Sequence, residues 1–263
     1  MRWLFQFWGL LPRQFQLLII KTVQRNRRLY RWLMFRHYEQ KDRADGNHAY
    51  LPPPELRYRV GASPEADQFV AIGKTSAEDI RSALRKVGCD IESFSRILDF
   101  GCGCGRTLVH MRTLAPNAHF SGIDIDTAAI DWCKKNLDFA SFSLSNEKPP
   151  IEYEDNTFDF VYAISVFTHL DEENQFRWLE ELRRITKPSG IVLLTVHGLN
   201  DKEQSFVYER TYEEGLFPAW YQNTYHSKEY VLENFGKSFE VINYDRRSMN
   251  NHQDVIVLQK RPA

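Results

Sequence analysis

From about Ser76 to Lys260 the hydrophobic positions switch repeatedly between two periods. Short continuous apolar runs, such as Ile97-Leu98, Phe160 to Ile164 and Ile191 to Val196, suit strands buried on both faces. Between them apolar residues recur every three or four positions, the spacing of an amphipathic helix. Ile80, Leu84 and Val87 make one such stripe, with Thr75 or Ser76 as its cap, Glu78 and Asp79 in its first turn and Gly88 as its stop. Asp126-Thr127 opens another helix, which runs through Ile130 and Cys133 to Asn136. A third is capped by Asp171, buries Phe176, Leu179, Leu182 and Ile185, and ends among Arg183, Arg184 and Lys187, where basic residues suit the helix dipole. Ser227 caps a last one through Tyr230, Val231, Leu232 and Phe235. Further strands are expected at 139–144, 239–244 and 255–259. Strand and helix in alternation predict an α/β fold, a sheet with helices on both faces.

The chain before Ser76 breaks that rhythm. Met1 to Arg36 is rich in Trp, Phe, Leu and Arg, and Pro12-Arg13 interrupts its apolar run, leaving it too short for a transmembrane helix. No small-residue cleavage site follows a clean apolar core, so it does not read as a signal peptide. Arg25, Arg27, Arg28, Arg31 and Arg36 interleave with Leu29, Tyr30, Trp32, Leu33 and Phe35. Such a segment suits the surface of an anionic membrane, and packing on the domain or on a partner subunit fits the same composition. Gln40 to Pro54 turns polar and then proline-rich, ending in Pro52-Pro-Pro54. Residues 1–54 are therefore read as a basic aromatic segment with a linker, and 55–263 as the folded domain. Within that domain, 199–226 is an aromatic and charged insertion of the kind that carries specificity.

Composition narrows the setting. The 263 residues are 43% hydrophobic, enough for one α/β domain with additions. A net charge of -1 gives no global reason to expect nucleic acid. Cys102 and Cys104 have no matching Cys/His pair at zinc spacing, so no structural metal is expected. The four cysteines form no disulfide framework, which points to a reducing, cytoplasmic setting.

The chemistry concentrates in Arg96-Ile-Leu-Asp-Phe-Gly-Cys-Gly-Cys-Gly-Arg106. An apolar strand, a turn with Gly101, Gly103 and Gly105, and the run Thr107 to Leu114 put bare backbone N–H groups at a helix N-terminus. A dinucleotide loop needs a third glycine where Arg106 stands. Asp99 precedes the turn, and an acid suits a sulfonium ligand bearing an amino group better than a pyrophosphate. Phe120-Ser-Gly-Ile-Asp124 reads as the next strand, with a carboxylate at its end able to accept ribose hydroxyls. The pairing resembles motifs I and II of the class I S-adenosylmethionine-dependent methyltransferases. Asp155-Asn-Thr-Phe-Asp159 and Lys187-Pro-Ser-Gly190 resemble further connections of that family.

The resemblance implies a Rossmann-like sheet of seven strands, mostly parallel with an antiparallel last strand. It implies S-adenosylmethionine as cofactor, bound through Asp99, Phe100, Gly101, Cys102, Gly103, Gly105, Asp124, Ile125, Asn146 and Ser165. It also suggests that the arm before the first core helix closes over the cofactor, with Arg57 or Arg59 holding a carboxylate. The acceptor side rests on topology. His169 follows strand four and His197 strand five, and the connector before an antiparallel strand seven carries His252 and Asp254 to the same edge. These four are the expected catalytic group, one histidine as general base and Asp254 orienting a neighbouring imidazole; a divalent metal held by them is the alternative. Methyl transfer to a small molecule or glycan, at oxygen, is the leading expectation. A lipid-linked acceptor at a membrane and a non-catalytic cofactor-binding protein are the alternatives.

Overall fold

A computed structural model describes residues 26–45, 51–61, 63–199, 206–209 and 222–262. The apolar stretch from Trp3 to Ile20 and most of the aromatic insertion lie outside the described residues. The chain forms two compact units, Met1–Ala66 and Asp67–Ala263.

In the first unit, α1 (Arg27–Asp45) and α2 (Pro54–Gly61) pack through Phe35, whose ring meets Tyr58 edge-on at 5.7 Å. Arg57 is 1% exposed and spends its donors locally. Its Nε donates to Pro64 O at 2.8 Å, one terminal nitrogen to Pro52 O at 2.8 Å, and the other to Asp42 Oδ2 at 2.7 Å. A guanidinium so fully engaged staples the proline-rich arm to α1, which replaces the ligand-holding role expected for Arg57.

The second unit is a sheet whose core runs β3 (Ala140–Leu144), β2 (His119–Asp124), β1 (Arg96–Phe100), β4 (Phe158–Ala163), β5 (Thr186–Gly198), β9 (Gln253–Gln259) and β8 (Glu240–Met249). The pairs from β3 to β5 are parallel, and β9 is antiparallel to both β5 and β8. The core thus has the expected seven strands and the expected antiparallel last one. Two more strands, β6 (Phe206–Glu209) and β7 (Asn223–His226), form a hairpin whose β7 runs parallel to the end of β5. The described strands of the insertion expected over 199–226, 206–209 and 223–226, therefore extend the sheet.

Alternation within the strands sorts the core into two layers. Leu98, Val161, Val192, Leu194 and Ile256 face α6 (Glu172–Ile185) and α7 (Lys228–Asn234), with Trp178, Leu179, Leu182 and Val231. Ile97, Phe160, Leu193 and Val257 face α3 (Ala66–Lys86), α4 (Leu108–Leu114) and α5 (Thr127–Asn136), with Ile80, Leu84, Met111 and Ile130. Each such side chain contributes about 1.5–3 kcal/mol by burial.

The element edges show what propensity missed. Ser76 does not cap α3, which begins ten residues earlier. Its hydroxyl is buried and accepts from Asn250 Nδ2 at 2.8 Å, while Asp79 Oδ2 accepts from Asn250 N–H. Tertiary partners captured residues that would suit a helix start. Asp126, Asp171 and Ser227 cap as expected, each accepting backbone N–H groups of the first turn. The Lys187-Pro-Ser-Gly190 connection is an irregular stretch inside β5, with Ser189 at φ 63°.

Candidate active site

Parallel strands leave their ligand site at the carboxyl edge, where the strand order reverses. Here that point lies between β1, flanked by β2, and β4. The turn after β1 carries Gly101 at φ 82°, Gly103 at 53° and Gly105 at 76°, all in the region that penalises a Cβ. A Cβ on Gly101 would also stand 2.3 Å from Val166 Cγ2. Gly101 and Cys102 N–H both donate to Ile123 O, at 2.8 and 3.0 Å, which ties the turn to β2. Behind it, a Cβ on Gly73 of α3 would meet Arg106 O at 2.2 Å, so α3 packs against the turn because that position is glycine.

Asp124, at the end of β2, accepts Gly103 N–H on Oδ2 at 2.7 Å and Asp126 N–H on Oδ1 at 2.8 Å. Burial raises its carboxyl above the ordinary range, and those N–H groups hold it part of the way back. Asp99 is 4% exposed. Burial pushes its carboxyl up to about 7, against the Tyr162 hydroxyl that donates to its Oδ2 at 2.9 Å and with the help of the nearby Asp124 charge. Arg106 lies close enough to oppose the shift. Its own Nε is buried with no hydrogen-bond partner among the described residues. Around the turn, burial also raises the thiols of Cys102 and Cys104. Ile125 is 39% exposed and Asn146 lies exposed beyond β3, at the same edge. Phe100 faces inward instead, its ring 4.8 Å from that of Trp178.

On the other side, β4 exits into Ser165, itself at φ 58°. Its N–H donates to Thr195 Oγ1 at 2.8 Å, and Gln253 Nε2 donates to its Oγ at 2.8 Å. A non-glycine residue at that φ is strained, and β5 and β9 hold it there. His169 Nδ1 lies 2.8 Å from Gln222 O. Burial drives the imidazole down to about 4, a shift that the neighbouring His197 reinforces. The ring of His197 stands 5.3 Å from those of Tyr225 and His252, and its pKa is lowered by burial and then by His252. His252 is exposed. Asp254 is 2% exposed; its oxygens accept the Tyr244 hydroxyl at 2.6 Å and Arg247 N–H at 2.8 Å. It braces the β8–β9 connector where an orienting bond to an imidazole was expected, and reaches His197 through its charge. Among the described residues no three His, Cys, Asp or Glu side chains group to hold a metal ion.

The four residues named from topology thus sit along the ends of β4, β5 and β9. Sequence reasoning missed Tyr162, Arg106, Gln222, His226 and Gln175. Tyr162 left a usable trace, because the parallel register pairs it with Asp99. Arg106 stood within the glycine stretch, while Gln222, His226 and Gln175 act through contacts that no local pattern encodes.

Residues 97–190 match the family described as a methyltransferase domain. A tRNA (carboxymethyluridine(34)-5-O)-methyltransferase of Arabidopsis thaliana is 34% identical over 126 residues, 46% of this chain and 30% of that protein. A tRNA N(3)-methylcytidine methyltransferase of Schizosaccharomyces pombe is 27% identical over 222 residues, 78% of this chain and 71% of its own length. The fold matches that of a crystallised SAM-dependent methyltransferase from Methanosarcina mazei, with a TM-score of 0.51 and 23% identity over 65% of this chain and 94% of that one. The chain spans less than half the length of several curated relatives that it matches. Residues 97–190 thus match a methyltransferase domain, and the sheet around them has the fold of a SAM-dependent methyltransferase.

Proposed function

We propose that this chain transfers a methyl group from S-adenosylmethionine to an oxygen of a small-molecule or glycan acceptor. The reading rests on one arrangement: three left-handed glycines, the buried Asp99 and the half-buried Asp124 at the ends of β1 and β2, beside a β4 exit that holds a neutral histidine. The pieces fit the cofactor. Asp124 uses one lone pair on each oxygen for the turn and keeps others for ribose hydroxyls. Asp99 would receive the amino group, and the unpartnered Arg106 Nε would face the carboxylate. Ile125 and Asn146, both exposed at this edge, would border the adenine, and Ser165 the reacting end. When bound, the cofactor supplies a methyl carbon on a positively charged sulfur.

What remains for the chain is alignment and a proton acceptor. A carbonyl can only accept, so Gln222 O fixes the proton of neutral His169 on Nδ1 and leaves the lone pair on Nε2. That nitrogen takes the acceptor's hydroxyl proton as the oxygen attacks. His197, second in line, shares the edge with His252 and the Asp254 charge.

The tRNA-modifying relatives make nucleic acid the competing acceptor. Against it stand the chain's net charge of -1 and an acceptor edge lined by neutral imidazoles and tyrosines. The test is a panel of oligosaccharides, lipid-linked sugars, small hydroxylated molecules and bulk tRNA, incubated with label on the cofactor methyl. Label entering tRNA alone would overturn the reading.

A membrane-presented acceptor is a second reading, favoured by α1, which exposes Leu29, Tyr30 and Trp32 at 41%, 46% and 40% beside Arg27 and Arg36. Among the described residues no helix is long and apolar enough to cross a bilayer. Leu29→Ser with Trp32→Ser should release the chain from anionic vesicles in a sedimentation assay; unchanged sedimentation would remove this reading.

A further inference from the structure

The hairpin added to the end of β5 is bonded at several points to the four residues that leave β4. Thr224 N–H donates to Thr168 O and Thr224 Oγ1 to Phe167 O, both at 2.8 Å. His226 is fully buried, and its Nε2 lies 2.8 Å from Gln175 Oε1. Gln175 Nε2 donates to Phe167 O at 3.2 Å and Leu170 O at 2.9 Å, which fixes the amide so that its oxygen faces the ring. His226 must therefore carry its proton on Nε2. Around it lie the rings of Phe206, Tyr230 and Phe235, at 5.2 to 6.0 Å. Just ahead of this clamped strand, Gln222 turns its carbonyl to His169 Nδ1. The strand that grips Phe167 and Thr168 thus also supplies the acceptor for the next residue's imidazole.

We propose that the β6–β7 hairpin is a positioning element for the acceptor-side base: docked on Phe167 to Leu170 through Thr224, His226 and Gln175, it presents the Gln222 carbonyl that selects the Nδ1–H tautomer of His169. The more common solution tautomer carries its proton on Nε2 and could not accept a hydroxyl proton there. With the hairpin docked, Nε2 takes that proton, the ring becomes imidazolium, and the proton passes to water after product leaves. Thr224 and Gln175 touch neither substrate nor cofactor and act through His169. The inference rests on His169 being the base.

The test reads the tautomer directly and needs no acceptor. In the full chain uniformly labelled with nitrogen-15, the His169 ring signals are assigned by comparison with His169→Gln. The expected wild-type pattern is a protonated Nδ1 and an unprotonated Nε2. Thr224→Val removes the hydroxyl donor while keeping size and backbone, and should turn the single tautomer into a mixture, with S-adenosylhomocysteine affinity unchanged by calorimetry. Thr224→Ser should restore the wild-type pattern. Gln175→Met should move the signal the same way as Thr224→Val. A wild-type His169 protonated on Nε2, or a tautomer that stays fixed in both hairpin variants while they remain folded, would overturn the proposal. The base assignment fails separately, if His169→Gln keeps full turnover with the true acceptor.

Discussion

The two sides of the sheet's carboxyl edge are built on opposite plans. On the β1–β2 side the contacts that shape the glycine turn lie close in sequence: Gly103 to Asp124 spans 21 residues and Asp126 to Asp124 spans 2, and the long-range bond there, 63 residues, is from Tyr162 to Asp99. On the β4–β5 side they are distant. Ser165 and Gln253 are 88 residues apart, Thr224 and Phe167 57, His169 and Gln222 53, and His226 and Gln175 51. One side is a turn written into a single stretch of chain; the other is assembled only when the sheet closes. The first should fail abruptly and locally when altered, the second in steps and through distant residues.

The sharpest break on the local side is Gly101→Ala. A left-handed φ of 82° costs an L-residue about 1–2 kcal/mol, and the new methyl would press on Val166 Cγ2. Val166 has a short, stiff side chain, so the turn itself must move. Binding of S-adenosylhomocysteine should drop by about 100-fold or more, a loss of roughly 3 kcal/mol once the displaced N–H groups are counted. Calorimetry on the folded variant measures it, and near-normal affinity would mean that the turn does not cradle the cofactor.

Asp124→Ala comes next. It removes a charged acceptor from the proposed ribose site and leaves Gly103 and Asp126 N–H without their partner. A hydrogen bond to a charged group is worth about 1.5–3 kcal/mol, which corresponds to roughly 10- to 150-fold in affinity. Asp124→Asn, which keeps an oxygen, should fall between the variant and the wild type.

This contrast also explains how far the sequence could be read. The strand–glycine–helix unit, Asp99 and Asp124 sit within one short window, so their spacing betrays them. Asp159 was recognisable too. Burial opposes its charge, but Lys187 and the N–H groups of Ser95 and Arg96 outweigh burial and hold the carboxyl below its ordinary range, tying β1, β4 and β5 at their starts. The acceptor side could be named by topology, since strand ends meet at one edge, but its bonds could not. Nothing near His169 announces Gln222, and nothing near Asp254 announces Tyr244. The hairpin was hidden for the same reason: Asn223-Thr-Tyr-His226 gains its strand character from the end of β5 and from Thr168.

A milder probe of the assembled side is acid. Burial pushes His226 down to about 3 and His169 to about 4, with His197 adding to both shifts. The unfolded chain takes up protons below about pH 6.5 that the folded chain refuses. The stability these groups allow is therefore complete above pH 6.5 and is lost as pH falls toward 4 for His169 and toward 3 for His226. The loss is at most about 1.4 kcal/mol per pH unit for each group. Chemical denaturation at about pH 7 and about pH 5 should show a smaller difference for His226→Gln than for wild type. An equal difference would mean that His226 is not held neutral.

The smallest expected effect is at His252, and it tests whether the acceptor edge works as a set of charges. His252 is exposed, so His252→Ala should change stability by no more than about 0.5 kcal/mol. Its ring nevertheless stands 5.3 Å from His197, and its positive charge, when present, disfavours a second one there. Removing it lifts part of that repulsion. Burial remains as the larger cause, so His197 should still titrate below its ordinary range, though higher than in the wild type, while the nearby Asp254 charge pulls the same way. If His197 takes part in catalysis, the acid limb of the kcat/KM profile should move to higher pH in His252→Ala, with cofactor affinity untouched. If the limb stays in place and NMR shows the His197 titration moved, His197 lies outside the reaction and His169 carries the proton alone.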